Sequence, residues 1–303
     1  MSTQSNAIPE SAVGSQATRF DEISTARRMY WSIKREVWES RSLYIAPLAV
    51  AGIFLLGFLV RASHLLTEAR GSATPEVQGA MLAQTFDFAA LALMGTTLLV
   101  AVFYCLDALH GERRDRSILF WKSLPVSDVM TVLSKTSIPL LILPVVTFLI
   151  TVALQCVMLL VSGAVLLAGG QSLAKLGHLS LGMRWIILLY HLVVGHGLYY
   201  APFYGWFLLV SAWARRGAFL WAVLPPMALG VLEKILFNTS HFASLVESRL
   251  GLGGQMSSSK ATGVSAMILD VPALSNPGLW IGLLLTALFL FAAVQLRRRQ
   301  GPV

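Results

Sequence analysis

The chain has 303 residues, of which 56% are hydrophobic and only 13% charged, with a formal net charge of +8. Soluble domains average about 25% charged residues, so too little polar surface is present to cover a 32.9 kDa globule in water. That argues against a soluble enzyme and a disordered chain. Cys105 and Cys156 both stand in apolar runs, which argues against a disulfide scaffold or a metal-ligand motif. A mean hydropathy of +0.69 fits an all-α polytopic membrane protein.

Residues 1–18 are rich in Ser, Gln, Ala and Thr and read as a disordered tail. Over 19–42, Ile23, Ala26, Tyr30, Ile33 and Val37 recur at helical spacing among Arg27, Arg28, Lys34, Arg35, Glu36 and Glu39. Trp31 and Trp38 are placed to anchor at headgroup depth, so the segment reads as an amphipathic helix on the membrane surface. A span needs about 20 apolar residues. Six runs approach or exceed that: 43–60, 86–109, 137–167, 185–214, 218–232 and 278–296. Pro139 and Pro144 are expected to bend the start of the third. The fifth is short, contains Pro225-Pro226 and stops before Glu233-Lys234, which predicts a short span followed by a re-entrant or surface segment within 233–277. A basic tail, 297–303, ends the sequence.

Sixteen Lys and Arg fall in the N-terminal region, the 110–136 loop, the 215–217 turn and the C-terminus, against seven in the other loops. This bias puts both termini in the cytoplasm. It also accounts for the net charge by topology, without a nucleic-acid partner.

The cytoplasmic segment after the second span stands apart. It is densely charged from Glu112 to Arg116, apolar from Ile118 to Trp121, and stopped by Pro125. Ser127 is placed to cap the helix that starts at Asp128. A short helix charged at one end and aromatic at the other suits docking into a groove on another protein. A solvated loop has no use for Ile118-Leu119-Phe120-Trp121.

The run Glu112, Ser117-Ile118-Leu119, Ser123-Leu124-Pro125-Val126-Ser127 and Lys135 resembles the intracellular loop of ABC-2 type exporter permeases. The layout is also similar: an amphipathic connecting helix, six spans, and short re-entrant helices between the last two. The resemblance implies that Glu112 to Leu124 forms a coupling helix seated on a separate cytosolic ABC ATPase. Glu112, Arg113, Arg116, Ser117, Ile118, Leu119, Trp121, Ser123, Leu124 and Pro125 would then be the ATPase-coupling residues. It further implies a prokaryotic inner membrane and a permease working as a homodimer or with a paralogue. The sequence contains no Gly-Lys dipeptide, hence no phosphate-cradling loop. No cofactor is expected on this chain, and ATP and Mg would belong to the partner.

Ionisable groups inside spans are functional candidates because lipid disfavours them. On an α-helix His191 and His196 would point about 140° apart, a poor metal pair, each expected to hydrogen-bond a neighbouring helix. With Tyr200 and Tyr204 they are candidates for lining a substrate path. The aromatic set around Pro202 fits either such a path or an interfacial belt, the belt being favoured for Trp206 and Trp213. Asp87 and Asp107, near span ends, read as structural. Few charges and many aromatics lean toward an apolar or amphipathic cargo. Two other readings stay open: an intramembrane enzyme, with the two histidines as its only seed, and a non-transporting membrane scaffold.

Overall fold

The computed structural model describes residues 24–68, 75–123, 126–170, 181–250 and 276–299, all helix and connecting turns with no strand among them. The 1–18 tail, Leu124, Pro125, most of the 233–277 segment after Leu250, and the last residues of the basic tail lie outside this set.

Helix α1 (Thr25–Glu39) starts where the Ser24 hydroxyl accepts the Arg27 backbone N–H at 3.3 Å. Its inward side sets Ile33 and Val37 against a core of Leu43, Tyr104, Ile138, Tyr204 and Leu208. Among the described residues, six helices are long and apolar enough to cross a membrane: Ser42–Arg61, Leu82–Arg114, Asp128–Ala168, Leu181–Tyr199, Ala218–Phe237 and Pro277–Arg299. They belong to α2 (Ser42–Glu68), α3 (Pro75–Ala108) with the short α4 (His110–Arg114), α6 (Asp128–Ser137) with α7 (Leu143–Ala168), α8 (Leu181–Tyr190), α10 (Ala218–Phe237) and α12 (Pro277–Arg299). The small helix α5 (Ile118–Ser123) lies between the second and third spans.

The third span has 41 residues, about 60 Å at 1.5 Å per residue and twice the hydrocarbon thickness. The length exceeds what one crossing needs, and the charged residues Asp128 and Lys135 both fall in its first part, α6. Ser127 caps it as expected, accepting from the Met130 N–H at 3.2 Å. Between Pro139 and Pro144 the chain takes a π-helical course, Ile138–Ile142. Pro144 has no N–H to offer the Leu140 carbonyl four residues back, which favours the wider register.

A second π-helical stretch, His191–Tyr199, joins α8 to α9 (Ala201–Trp213). The two π segments touch: a Cβ on Gly197 would stand 2.8 Å from the Leu140 carbonyl oxygen. Helices α9 and α12 also approach closely at Gly205, where a Cβ would lie 3.3 Å from Thr286 and 3.4 Å from Phe289.

The fifth span runs past the 218–232 stretch read from the sequence. Helix α10 runs unbroken for 20 residues through Pro225, Pro226 and Glu233-Lys234. The carbonyl that Pro226 cannot serve, Ala222, accepts instead from the Trp206 indole N–H at 2.9 Å. The helix ends at Asn238, whose φ is +52°. A second helix, α11 (His241–Leu250), then begins beneath Glu233. The Glu233 carboxylate accepts the His241 and Phe242 N–H groups at 2.7 and 2.8 Å and the Thr239 hydroxyl at 2.9 Å. The pair α10–α11 is a capped hairpin.

Candidate functional site

The segments assigned to one side of the membrane meet at one end of the bundle, and what joins them is charge. Glu36 is the one buried residue of α1. Both its oxygens receive the Lys135 ammonium at 3.0 Å, the Tyr104 hydroxyl donates to Oε2 at 3.0 Å, and Arg35 donates to Oε1 at 2.7 Å. Lys135 also lies 3.1 Å from Glu112 Oε1. The other Glu112 oxygen takes Arg297 Nη1 at 2.5 Å, and Arg297 Nε donates to Asp128 at 3.0 Å.

Three carboxylates thus face three cations. Lys135, Glu36, Glu112 and Arg297 keep only 3–6% of their side-chain surface exposed. Burial alone would raise the Glu36 pKa, but the adjacent Lys135 and Arg35 outweigh it and hold the carboxyl below its ordinary value. The cluster ties α1, α4, α6 and the end of α12 into one body. A cleft of about 480 Å³ opens beside it, lined by Glu36, Tyr104, Asp107, Glu112 and Lys135 among others.

The segment predicted to dock divides into two parts. In α4, Glu112 and Arg113 turn inward. Arg113 donates to the Ala212 carbonyl and, at 3.4 Å, to that of Ala214. The Ser211 hydroxyl accepts the Leu109 and His110 N–H groups at 3.0 and 2.9 Å, fastening α4 to the end of α9. The chain then turns at Arg116, exposed and with φ +57°. Ser117 donates to the Glu112 carbonyl at 3.3 Å.

In α5, Ile118 is buried while Leu119 and Phe120 are 59% and 60% exposed. Trp121 carries the Arg35 guanidinium 3.8 Å above its ring, a cation–π contact that binds α5 to α1. Ser123 ends α5, and Leu124 and Pro125 lie outside the described residues.

The aromatic line in the fourth span differs from the α-helical expectation. In a π-helix the hydrogen bonds run i to i+5, as in Tyr200 N–H to the Gly195 carbonyl at 3.3 Å. Residues five apart then stack, and the His191 and His196 rings lie 5.9 Å apart rather than on different faces. His196 meets Tyr200 edge-on at 5.4 Å. Its Nδ1 is buried without a hydrogen-bond partner, contrary to the expected interhelical bond. Tyr204 is buried in the core cluster with Tyr104. Among the described residues no group of three or more His, Cys, Asp or Glu is arranged to hold a metal.

Asp87 pairs with Arg184 of another helix at 2.6 Å, and Asp107 lies 3.7 Å from Arg114, so both aspartates have ionic partners. The half-buried Trp206 donates its indole N–H to the Ala222 carbonyl.

Sequence reasoning passed over Glu36, Tyr104, Asp128 and Arg297. One signal was available: Glu36 interrupts the inward stripe between Ile33 and Val37, where an unpaired carboxylate would be costly. Comparison with protein-family models, curated proteins and solved structures finds no match for this chain.

Proposed function

We propose that the chain is the membrane-spanning permease subunit of an ATP-driven exporter of the ABC-2 type, energised by a separate cytosolic ATPase that seats on α5. The supporting observation is the exposed Leu119-Phe120 pair on a helix linked to the ion-paired cluster. Force applied to α5 reaches α1 through Arg35 and Trp121. It reaches α6 and α12 through Glu36, Lys135, Glu112 and Arg297. Glu112 and Arg113 are, in this reading, positioning residues that transmit movement, and Leu119 and Phe120 are the contact.

Both termini lie in the cytoplasm of a prokaryotic inner membrane, with α1 at the bilayer surface. A second copy or a paralogue covers the first and fifth spans, of which only 17% and 6% is buried within one chain. The cargo is apolar or amphipathic, passing near His191, His196 and Tyr200.

The test is co-purification of the tagged protein from mild detergent, with ATPase activity assayed on the eluate. An ATPase that co-elutes with the native chain and is lost with Leu119→Asp, while membrane insertion is unchanged, supports the reading. Equal recovery with both proteins removes α5 as the seat. Absence of any nucleotide-binding partner returns weight to the enzyme and scaffold readings.

A further inference from the structure

On α1 the face turned away from the bundle carries its own pattern. Arg27, Trp31, Lys34 and Trp38 follow one another at spacings of four, three and four, and Arg41 continues the series just past the helix end. At 3.6 residues per turn these positions form one stripe, alternating cation and indole, and Glu36 falls on the opposite side. Trp31 and Trp38 are 53% and 69% exposed.

Lys34 Nζ stands between them, 4.9 Å from one ring and 5.0 Å from the other. A hollow of about 440 Å³ lies there, lined by Trp31, Lys34, Arg35, Trp38 and Glu39. The single carboxylate on its rim, Glu39, sits 3.9 Å from Arg35. Arg27, Lys34 and Arg41 therefore present positive charge that no ion pair within the described residues offsets.

From this geometry we infer that the stripe is a binding surface for anionic phospholipid headgroups. Three observations select that occupant. The charge is complementary to phosphate. Exposed indoles flanked by basic residues are the pattern of a helix at the lipid–water interface. The chain enters its first span at Ser42, which fixes the end of the stripe at the bilayer surface. The opposite face is already committed to Lys135 and the core, so lipid bound on the stripe lies one helix diameter from the charge cluster. This inference rests on the chain spanning a membrane and not on the exporter reading.

The experiment reconstitutes the full chain in phosphatidylcholine nanodiscs doped with brominated phosphatidylglycerol or brominated phosphatidylcholine. The protein has eight tryptophans, so the signal is the part of the quenching that disappears in a Trp31→Phe/Trp38→Phe variant. That part is quenched several-fold more effectively by the anionic lipid. Arg27→Gln and Lys34→Gln, both outside the buried cluster, each weaken the preference about fivefold, the size expected for one basic residue near an anionic surface. Molar salt abolishes it, since the Debye length there is about 3 Å. Equal quenching by the two lipids, or a preference that survives the Arg27→Gln/Lys34→Gln pair, overturns the inference. So does an absence of quenching by either lipid, which would assign the stripe to an acidic protein surface.

Discussion

At one end of α12, Arg297 lies between the carboxylates of Glu112 and Asp128. At the other end, Arg249 of α11 has no carboxylate partner among the described residues. It donates instead to the backbone carbonyls of Tyr199, at 3.1 Å, and Gly278, with its guanidinium 5.0 Å from the Tyr199 ring. Tyr199 offers a carbonyl because the Phe203 N–H bonds Tyr200 where the π-helix gives way to α9. Gly278 and Gly282 have the spacing that commonly brings two helices together, but here Gly282 makes room for an arginine: any Cβ on it would overlap the Arg249 guanidinium.

The comparison separates two ways of placing a cation at a helix end. One draws charged partners from distant parts of the chain and makes a rigid junction. The other uses carbonyls released by local helix irregularity, and the contact can be let go without stranding a charge pair.

The sharpest break in that contrast is Lys135→Met. It leaves Glu36 and Glu112 buried and facing each other, and removing one partner of a buried ion pair costs about 3–5 kcal/mol. The unfolding temperature in detergent should fall by far more than for Arg114→Ala, whose pairs with Asp107 and Asp115 lie at the exposed surface. Adding Glu36→Leu to Lys135→Met should restore part of the loss, the mark of energetic coupling.

Acid probes the same junction. The Glu36 carboxyl is held below its ordinary 4.5 in the folded chain, so its contribution is complete above that value and is lost as pH falls through the lower, folded one. Thermal stability measured from pH 7 downward should therefore drop below about pH 4.5, and Glu36→Gln should flatten that limb. An unchanged acid limb in Glu36→Gln would show that other carboxylates dominate it.

The number and approximate positions of the spans could be read from hydropathy, because lipid imposes an apolar length whatever the rest of the fold does. The junction could not. Glu36 and Lys135 are 99 positions apart, and Glu112 and Arg297 are 185 apart, so periodicity carries no trace of their pairing. The inward turn of Glu112 and the outward turn of Leu119 were likewise concealed in one short segment, because the reversal occurs at Arg116 with its positive φ. The histidine pair was hidden for another reason: an assumed α register rotates residues five apart out of alignment, whereas the π register stacks them.

Toward the other end of α12 the expected effects are smaller. Gly282→Ala displaces Arg249 through its flexible tip, giving up two charge-assisted hydrogen bonds, about 1.5–3 kcal/mol in all if solvent takes over part of the loss. Arg249→Gln should cost a similar amount, and the double variant no more than either single one, because both remove the same contact. Hydrogen exchange of residues 241–250 reports it directly, faster in both variants and unchanged at α6. Additive losses would mean that Gly282 matters for something other than seating Arg249.

Trp206→Phe gives the smallest effect. Phenylalanine keeps much of the ring against Phe289, 5.6 Å away between centroids, and removes only the indole N–H that serves the Ala222 carbonyl. The cost should be about 1 kcal/mol, the size of one hydrogen bond, and more if no water replaces it. Replacing Pro226 by Ala in the Trp206→Phe background restores a backbone N–H four residues after Ala222. If the indole acts by covering that vacancy, stability in the double variant should return to the native value or above it. If Pro226→Ala leaves the Trp206→Phe loss untouched, the indole stabilises the bundle by packing alone, and the unbroken course of α10 through two prolines requires another cause.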